Sequence, residues 1–236
     1  PSRPMEVIVL PAGHDAGAAA AGIISRRVAE KPTAVLGLAT GASVEGVYAG
    51  LVPAERDRAL DFSRVTAFNL DEYVGLSPSH PGSCHAFMER HFLSRVNIER
   101  RNVHFPPTEG DDLARLCEQF ERDIRAAGGI DLQLLGIGRD GHLGFNEPTS
   151  SLASRTRIKT LTGPTREANQ SAFGGGEVPL HVVTMGIGTI LDARHCLLVA
   201  YGAAKADAVD KSNKHAKVLE PASPALFFWT RLSRRW

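Results

Sequence analysis

A single-domain, three-layer α/β fold of Rossmann-like type, with a mainly parallel central sheet, is predicted by three observations on this 236-residue chain. Apolar runs of strand length alternate with helical stretches, the pattern of βαβ units. Some of those runs are almost unbroken, as in "TAVLGLA" (33–39), which marks strands buried on both faces. A hydrophobic content of 43% over this length can bury a full core, and no repeat or interdomain linker divides it, so residues 1–236 read as one domain.

The elements follow in order. "MEVIVL" (5–10) reads as a strand, "DAGAAAAGIISRRVAE" (15–30) as an alanine-rich helix and 33–39 as the second strand, followed by a glycine turn and a helix. "RVTAFNL" (64–70) is the next strand, "SCHAFMERHFL" (83–93) a helix, "DDLARLCEQFERDIRAA" (111–127) a longer helix and "IDLQLLGI" (130–137) a central strand. "HCLLVAYG" (195–202) is another strand, with a helix from about Ala203, and "PALFFWTRLSRRW" supplies a last strand and a frayed end. Between them, 148–180 contains Gly174-Gly175-Gly176, many Ser and Thr and little apolar periodicity, the composition of a mobile lid over a site.

Charge and cysteine usage narrow the function classes. A net charge of +1, with both signs mixed along the chain, argues against nucleic acid or an acidic membrane as the main partner and favours a small molecule. Cys84, Cys117 and Cys196 are odd in number, far apart and outside any C-x-x-C pairing, as in a reducing, cytoplasmic setting. No apolar run approaches the roughly 18 residues of a membrane span, and residues 1–10 have no signal-peptide core.

The stretch "LLGIGRDGHLGFNEP" (134–148) raises two readings. Gly136, Gly138 and Gly141 satisfy G-x-G-x-x-G, but a dinucleotide site needs a helix to open there and present its N-terminus to pyrophosphate. Gly144 and Pro148 interrupt any such helix, and "SRTRIK" downstream offers no acid for a ribose. The glycines instead shape a loop at the carboxyl end of a strand. It carries Asp140, His142, Asn146 and Glu147, types suited to proton transfer near neutral pH; the alternative is a polar turn capped by Asp140 with His142 merely satisfied. One His and two acids lack the H-x-x-x-H spacing of a zinc helix, so no metal is expected.

Two further stretches lie at strand ends. In "FNLDEYVGLSPSHPGSCHAF" (68–87), Asp71 and Glu72 are adjacent, so a continuing strand sends them to opposite faces and at most one enters a site. Asp71 is the better candidate because it shares a face with Asn69; the alternative is a solvated loop edge. In "LGLATGASVEGVYAGL" (36–51), Thr40, Gly41, Ala42 and Ser43 precede a helix whose free N–H groups can cradle a phosphate, unless this is an ordinary βα turn with a serine cap. The Lys of a nucleotide-triphosphate loop is missing, which favours a sugar phosphate, and Lys205 is the candidate cation.

Together these residues resemble the hexosamine-6-phosphate isomerase and deaminase family, and within it the glucosamine-6-phosphate deaminases, over roughly Leu36 to Ser223. The matching motifs are "FNLDEYVGL", "HPGSCHAFM", "GIGRDGHLGFNEP", "SSLASRTRIKTLT" and "MGIGTILDA". The resemblance implies Asp71 as the base that moves a proton from C2 to C1, and His142 as the ring-opening group oriented by Asp140 and Glu147. It also implies that Thr40, Gly41, Ala42, Ser43 and Lys205 hold the phosphate of an amino-sugar phosphate, with fructose 6-phosphate and ammonium as products. No redox step is involved, so no cofactor is expected.

Three departures from the family pattern stand out. Ser171 occupies the place of a phosphate-binding arginine, four residues precede Met5, and the chain beyond Ser223 differs from the usual closing segment. Allosteric members bind N-acetylglucosamine 6-phosphate between subunits through residues matching Ser150, Arg157, Lys159 and Thr160; the other reading of these four is a basic strand on the lid. With the remaining partners of that regulatory site altered, hyperbolic kinetics in a monomer or small homo-oligomer are expected. The same pattern suits a galactosamine-6-phosphate deaminase or isomerase. A 6-phosphogluconolactonase would not be expected to carry Asn146-Glu147-Pro148 or Asp71-Glu72-Tyr73, and a non-catalytic sugar-phosphate sensor could dispense with Asp71 and His142.

Overall fold

The computed structural model describes residues 6–10, 13–57, 59–202, 205, 208–209 and 225–230. Its main sheet holds seven strands, β1 (Glu6–Leu10), β2 (Val35–Leu38), β3 (Thr66–Asn69), β5 (Val103–His104), β6 (Leu132–Leu135), β9 (Cys196–Tyr201) and β10 (Ala225–Thr230). They lie in the order β1-β10-β9-β6-β2-β3-β5. Strands β9, β6, β2, β3 and β5 are parallel, whereas β10 runs antiparallel to both of its neighbours. Every residue of β2 and β6 is buried, which explains why their sequences, apart from Gln133, are apolar without alternation.

The connecting helices are α1 (Gly13–Glu30), α2 (Ala42–Arg56), α3 (Cys84–His91) and α4 (Leu113–Ala126). Helix α1 buries Ala16, Ala20, Ile24 and Val28, a stripe at helical spacing, and α2 presents Val44, Val47, Tyr48 and Leu51 to the same core. The buried Tyr48 hydroxyl donates to Ala39 O at 2.6 Å, tying α2 to the end of β2. Asp112 caps α4 by accepting the Arg115 N–H at 3.0 Å. The predicted three-layer fold is therefore present, with most elements ending a residue or two inside their expected limits. The last strand is internal to the sheet. Of the helix expected from about Ala203, Ala208 and Val209 are helical and buried, and its other residues except Lys205 lie outside the described residues, as does the end beyond Thr230.

Residues 148–180 differ from their expectation of a cover without a core. They contain β7 (Arg157–Thr160) and α5 (Gly163–Asn169), and β7 joins β8 (His181–Thr184) and β4 (Asp71–Tyr73) in a second sheet of order β4-β8-β7. Tyr73, Cys84, Phe145, Leu161, Phe173, Val178 and Val182 form a small core of their own beneath it. Its apolar residues come singly, among Ser, Thr and Gly, so no window of sequence displays them as a periodic face. The base of the segment is fastened by the buried Glu121 of α4. Its Oε1 accepts from Thr156 N at 2.9 Å, Thr156 Oγ1 at 2.6 Å and Thr189 Oγ1 at 2.5 Å, Thr189 lying on α6 (Ile187–Leu191).

Candidate active site

Parallel pairing brings the candidate loops to one end of the sheet. Leu38 is paired with Asn69, Gly37 with Gln133 and Leu135 with Leu198, so the chain leaving β2, β3, β6 and β9 emerges on the same side. Ligands of open α/β sheets bind at this carboxyl end. The residues following β6 form turns rather than a helix, which removes the dinucleotide arrangement.

Asp71 is only 4% exposed, so the solvated loop edge is overturned. Asn69 Nδ2 donates to Asp71 O at 2.9 Å, fixing the step from β3 into β4. The Cys84 thiol donates to Asp71 Oδ1 at 3.5 Å. On the other side, a Cβ at Gly144 would lie 3.2 Å from Asp71 Oδ2 and 3.0 Å from Thr184 Oγ1, so glycine keeps that flank open, at a φ of 58°. Burial pushes the Asp71 carboxyl up to about 7; the Cys84 thiol opposes this and the neighbouring Glu72 charge adds to it. Glu72 is also buried but turns away, accepting from the N–H groups of Tyr73 at 2.8 Å, Cys84 at 3.0 Å and His85 at 2.8 Å. It thereby anchors the start of α3, and the adjacent acids take separate tasks as strand alternation requires.

The second station is more open. The Gly138 N–H donates to His142 O at 2.8 Å, closing the loop, and the imidazole lies over Gly138 so closely that a Cβ there would come within 2.3 Å of it. Asp140 Oδ1 sits 2.6 Å from His142 Nδ1 and also accepts the His142 backbone N–H at 3.2 Å. The ring nitrogen makes this short contact without an aligned hydrogen bond. Partial burial works to raise the Asp140 carboxyl, but the His142 N–H and the imidazole charge outweigh it and hold the group below its ordinary value. Asn146 rivets the end of the loop, its Nδ2 donating to Leu143 O at 3.0 Å and Met185 O at 2.7 Å.

Of the two acids expected to orient His142, Asp140 touches it. Glu147 accepts from the hydroxyls of Thr162 and Thr165, both at 2.8 Å, at the start of α5. Partial burial acts to raise Glu147, and these donors more than offset it, leaving the carboxyl lowered.

A family profile described as glucosamine-6-phosphate isomerases/6-phosphogluconolactonase matches residues 12–230. The chain belongs to this family. It is 55% identical over 206 residues to a glucosamine-6-phosphate deaminase of Arthrobacter sp. (strain FB24), covering 87% of this chain and 79% of that protein. It is 47% identical over 222 residues to one of Shewanella loihica (strain ATCC BAA-1088 / PV-4), covering 94% and 82%. Among solved structures, a monomeric glucosamine-6-phosphate deaminase superposes with a TM-score of 0.84 at 39% identity, covering 91% of this chain and 88% of that one. A 6-phosphogluconolactonase from Thermotoga maritima, at TM-score 0.67 and 20% identity over 86% of each chain, shares the fold.

The loop expected to hold phosphate lies between β2 and the start of α2. Gly41 is the N-cap of α2 without a side-chain cap, so the serine-capped turn is not formed. The Thr40 hydroxyl donates to Cys84 Sγ at 3.5 Å, and the Tyr201 hydroxyl donates to Ala42 O. Lys205 Nζ donates to Ile137 O at 2.5 Å, which brings the cation beside the loop that follows β6. Burial lowers this lysine's proton affinity, and Arg139 adds to the effect. Ser171 is exposed in a 3-10 turn, Gln170–Phe173, while Arg166 is engaged with Val178 O at 3.0 Å and Glu177 Oε1 at 3.1 Å.

In the possible regulatory group, Arg157 donates to Ser150 Oγ at 3.4 Å. Arg157 and Lys159 share the less exposed face of β7 and Thr160 occupies the other, so the four do not form one cluster on a single face. Sequence reasoning did not single out Cys84, Thr162, Thr165 and Thr184, which contact Asp71, Glu147 or the Gly144 loop. Cys84 and Thr162 lay in quoted motifs, but neither a lone cysteine nor a lone threonine gives any indication of its neighbours.

Proposed function

We propose that this chain converts glucosamine 6-phosphate and water to fructose 6-phosphate and ammonium. The observation that carries the reading is the pairing of one dry carboxyl, Asp71, pushed up to about 7, with the open Asp140–His142 pair at the same end of the sheet. The relatives that share 44–55% of their residues with this chain are glucosamine-6-phosphate deaminases, which supports the substrate.

The chemistry divides between the two stations. His142, held by Asp140, moves a proton between the anomeric hydroxyl and the ring oxygen, and the ring opens to the aldehyde. Asp71 then takes the C2 proton while the substrate's own ammonium gives a proton to the aldehyde oxygen, forming an enolamine, and Asp71 returns its proton to C1, leaving an iminium at C2. Water adds to that carbon, ammonia leaves, and the ketone remains. A base that must give its proton back works best with a proton affinity near the working pH, which burial supplies to Asp71. Thr40, Gly41, Ala42, Ser43 and Lys205 hold the phosphate, and Glu147 fixes α5 near the open station. The lid is 148–180.

The protein works as a monomer or small homo-oligomer with hyperbolic kinetics and little response to an N-acetyl sugar phosphate. The monomeric relative of similar structure supports this reading. A cytoplasmic setting suits the three free, buried cysteines, and no helix among the described residues is long and apolar enough to cross a membrane. The decisive assay is ammonia release from glucosamine 6-phosphate, run beside its galacto epimer and beside hydrolysis of 6-phosphogluconolactone. The gluco substrate is expected to be preferred by kcat/KM. Faster galacto turnover or lactone hydrolysis as the main activity overturns it.

A further inference from the structure

Asp71 has one hydrogen-bonding side chain on Oδ1, the Cys84 thiol, and the contact is built rather than incidental. Cys84 is the first residue of α3, after Ser83, whose hydroxyl caps the helix by accepting the Ala86 N–H at 2.9 Å. Glu72 grips the same helix start through the N–H groups of Cys84 and His85. Since Glu72 follows Asp71 directly on β4, the strand carrying the base also sets the position of the cysteine. The thiol is buried, with Sγ 3.5 Å from both Asp71 Oδ1 and Thr40 Oγ1.

The direction of the chain of donors follows from the chemistry of its members. In its ionised, proton-accepting form Asp71 only accepts, so the S–H then points to Asp71 and the sulfur lone pair is left for the Thr40 hydroxyl. Burial, together with the charges of Asp71 and Glu72, holds the thiol well above its ordinary value, so it stays protonated and remains a donor.

We propose that Cys84 is a positioning residue of the deamination. Its S–H fixes the rotation of the Asp71 carboxyl, leaving Oδ2 toward the flank kept open by Gly144, and joins the base to Thr40 of the phosphate loop. The proposal rests on the reading of Asp71 as the base. Its consequence is a base whose orientation and proton affinity both depend on a neutral sulfur donor. The other titratable groups coupled to Asp71 among the described residues are Glu72, which acts through its charge although it turns away, Tyr48 from α2 and Tyr73 at the end of β4. Burial pushes both tyrosines far up, so they stay neutral across the working range.

Steady-state kinetics against pH, on the full chain with glucosamine 6-phosphate, separate this role from simple core filling. Cys84→Ala is expected to lower kcat about tenfold with KM little changed and to move the acid limb of kcat/KM up by about half a pH unit, the scale of one lost weak donor. Cys84→Ser, which keeps a donor, is expected to restore the limb and most of kcat. An acid limb identical in wild type and Cys84→Ala, or one displaced equally in both variants, overturns the proposal. Should Cys84→Ala fail to fold, the infrared S–H stretch of the wild-type enzyme decides. A band lowered by a carboxylate acceptor that shifts in Asp71→Asn supports the contact, and an unmoved band overturns it. Full activity of Asp71→Asn would instead remove the base itself, a failure of the functional reading that this variant alone reports.

Discussion

Asp71 and Asp140 are the same side chain at the ends of two parallel strands of one sheet, and their surroundings drive them in opposite directions. Asp71 is buried between β4 and the start of α3, with only the Gly144 flank clear of a side chain, and burial pushes its carboxyl up to about 7. Asp140 lies on an open turn, its side chain 47% exposed, and the His142 N–H and imidazole hold it below the ordinary range. The contrast teaches that dryness, not residue type, separates the two carboxyls and underlies the roles proposed for them. A carboxyl near neutrality can take and return a carbon-bound proton, whereas one that stays ionised serves to orient and support an imidazole.

The largest expected effect breaks the buried side of this contrast. Asp71→Asn should reduce kcat by about 100-fold or more while leaving binding of the sugar phosphate nearly intact, as read by steady-state kinetics and calorimetry. Near-normal turnover in the purified variant would sink Asp71 as the base.

On the open side, His142→Gln should cost about tenfold on the cyclic substrate and much less on a substrate supplied in open-chain form. Equal losses on the two substrates would show that His142 does not open the ring.

How much of this contrast was legible in the sequence differs between its two halves. The strands around it were readable because β2 and β6 are buried on both faces and their composition says so. Asp71, Asp140 and His142 stood out because chemistry-bearing residues cluster at strand ends, and the contact of Asp140 with His142 follows from their two-residue spacing in a tight turn. The dryness around Asp71 was not legible. It comes from Cys84, Gly144 and Thr184, which are 13, 73 and 113 positions away and meet only when β4 pairs with β8. The second sheet was hidden for a similar reason. Strand β7 has four residues and pairs with β8, which in turn pairs with β4, a strand that lies far earlier in the sequence.

Stability sharpens the comparison further. The Asp71 carboxyl is raised in the fold relative to the unfolded chain, so the stability linked to its neutral form is present below about pH 4 and is lost as pH rises through about 7. Asp71→Asn should therefore raise the melting temperature by several degrees near pH 8, with the gain shrinking toward pH 4. The Asp140→Asn substitution should do the reverse: Asp140 is lowered in the fold, so its contribution is present at neutral pH and disappears on acidification. Its loss should be small because the group is half exposed. A destabilised Asp71→Asn at high pH would contradict this pairing.

The smallest expected effect lies at the phosphate. Ser171→Arg places a guanidinium where the family pattern has one, and because Arg166 is already held by Glu177 and Val178, the new side chain should lower KM by about two- to fivefold with kcat unchanged. A raised KM would mean that the phosphate is held away from residue 171.

The most direct test of the contrast is a carbon-13 titration of the aspartate carboxyl groups in the ligand-free enzyme, with the two resonances assigned through Asp71→Asn and Asp140→Asn. We expect Asp71 to titrate with a midpoint of about 7 and Asp140 to remain ionised to well below the ordinary aspartate range. If both titrate together near the ordinary aspartate value of about 4, burial does not separate the two carboxyls and the division of labour fails.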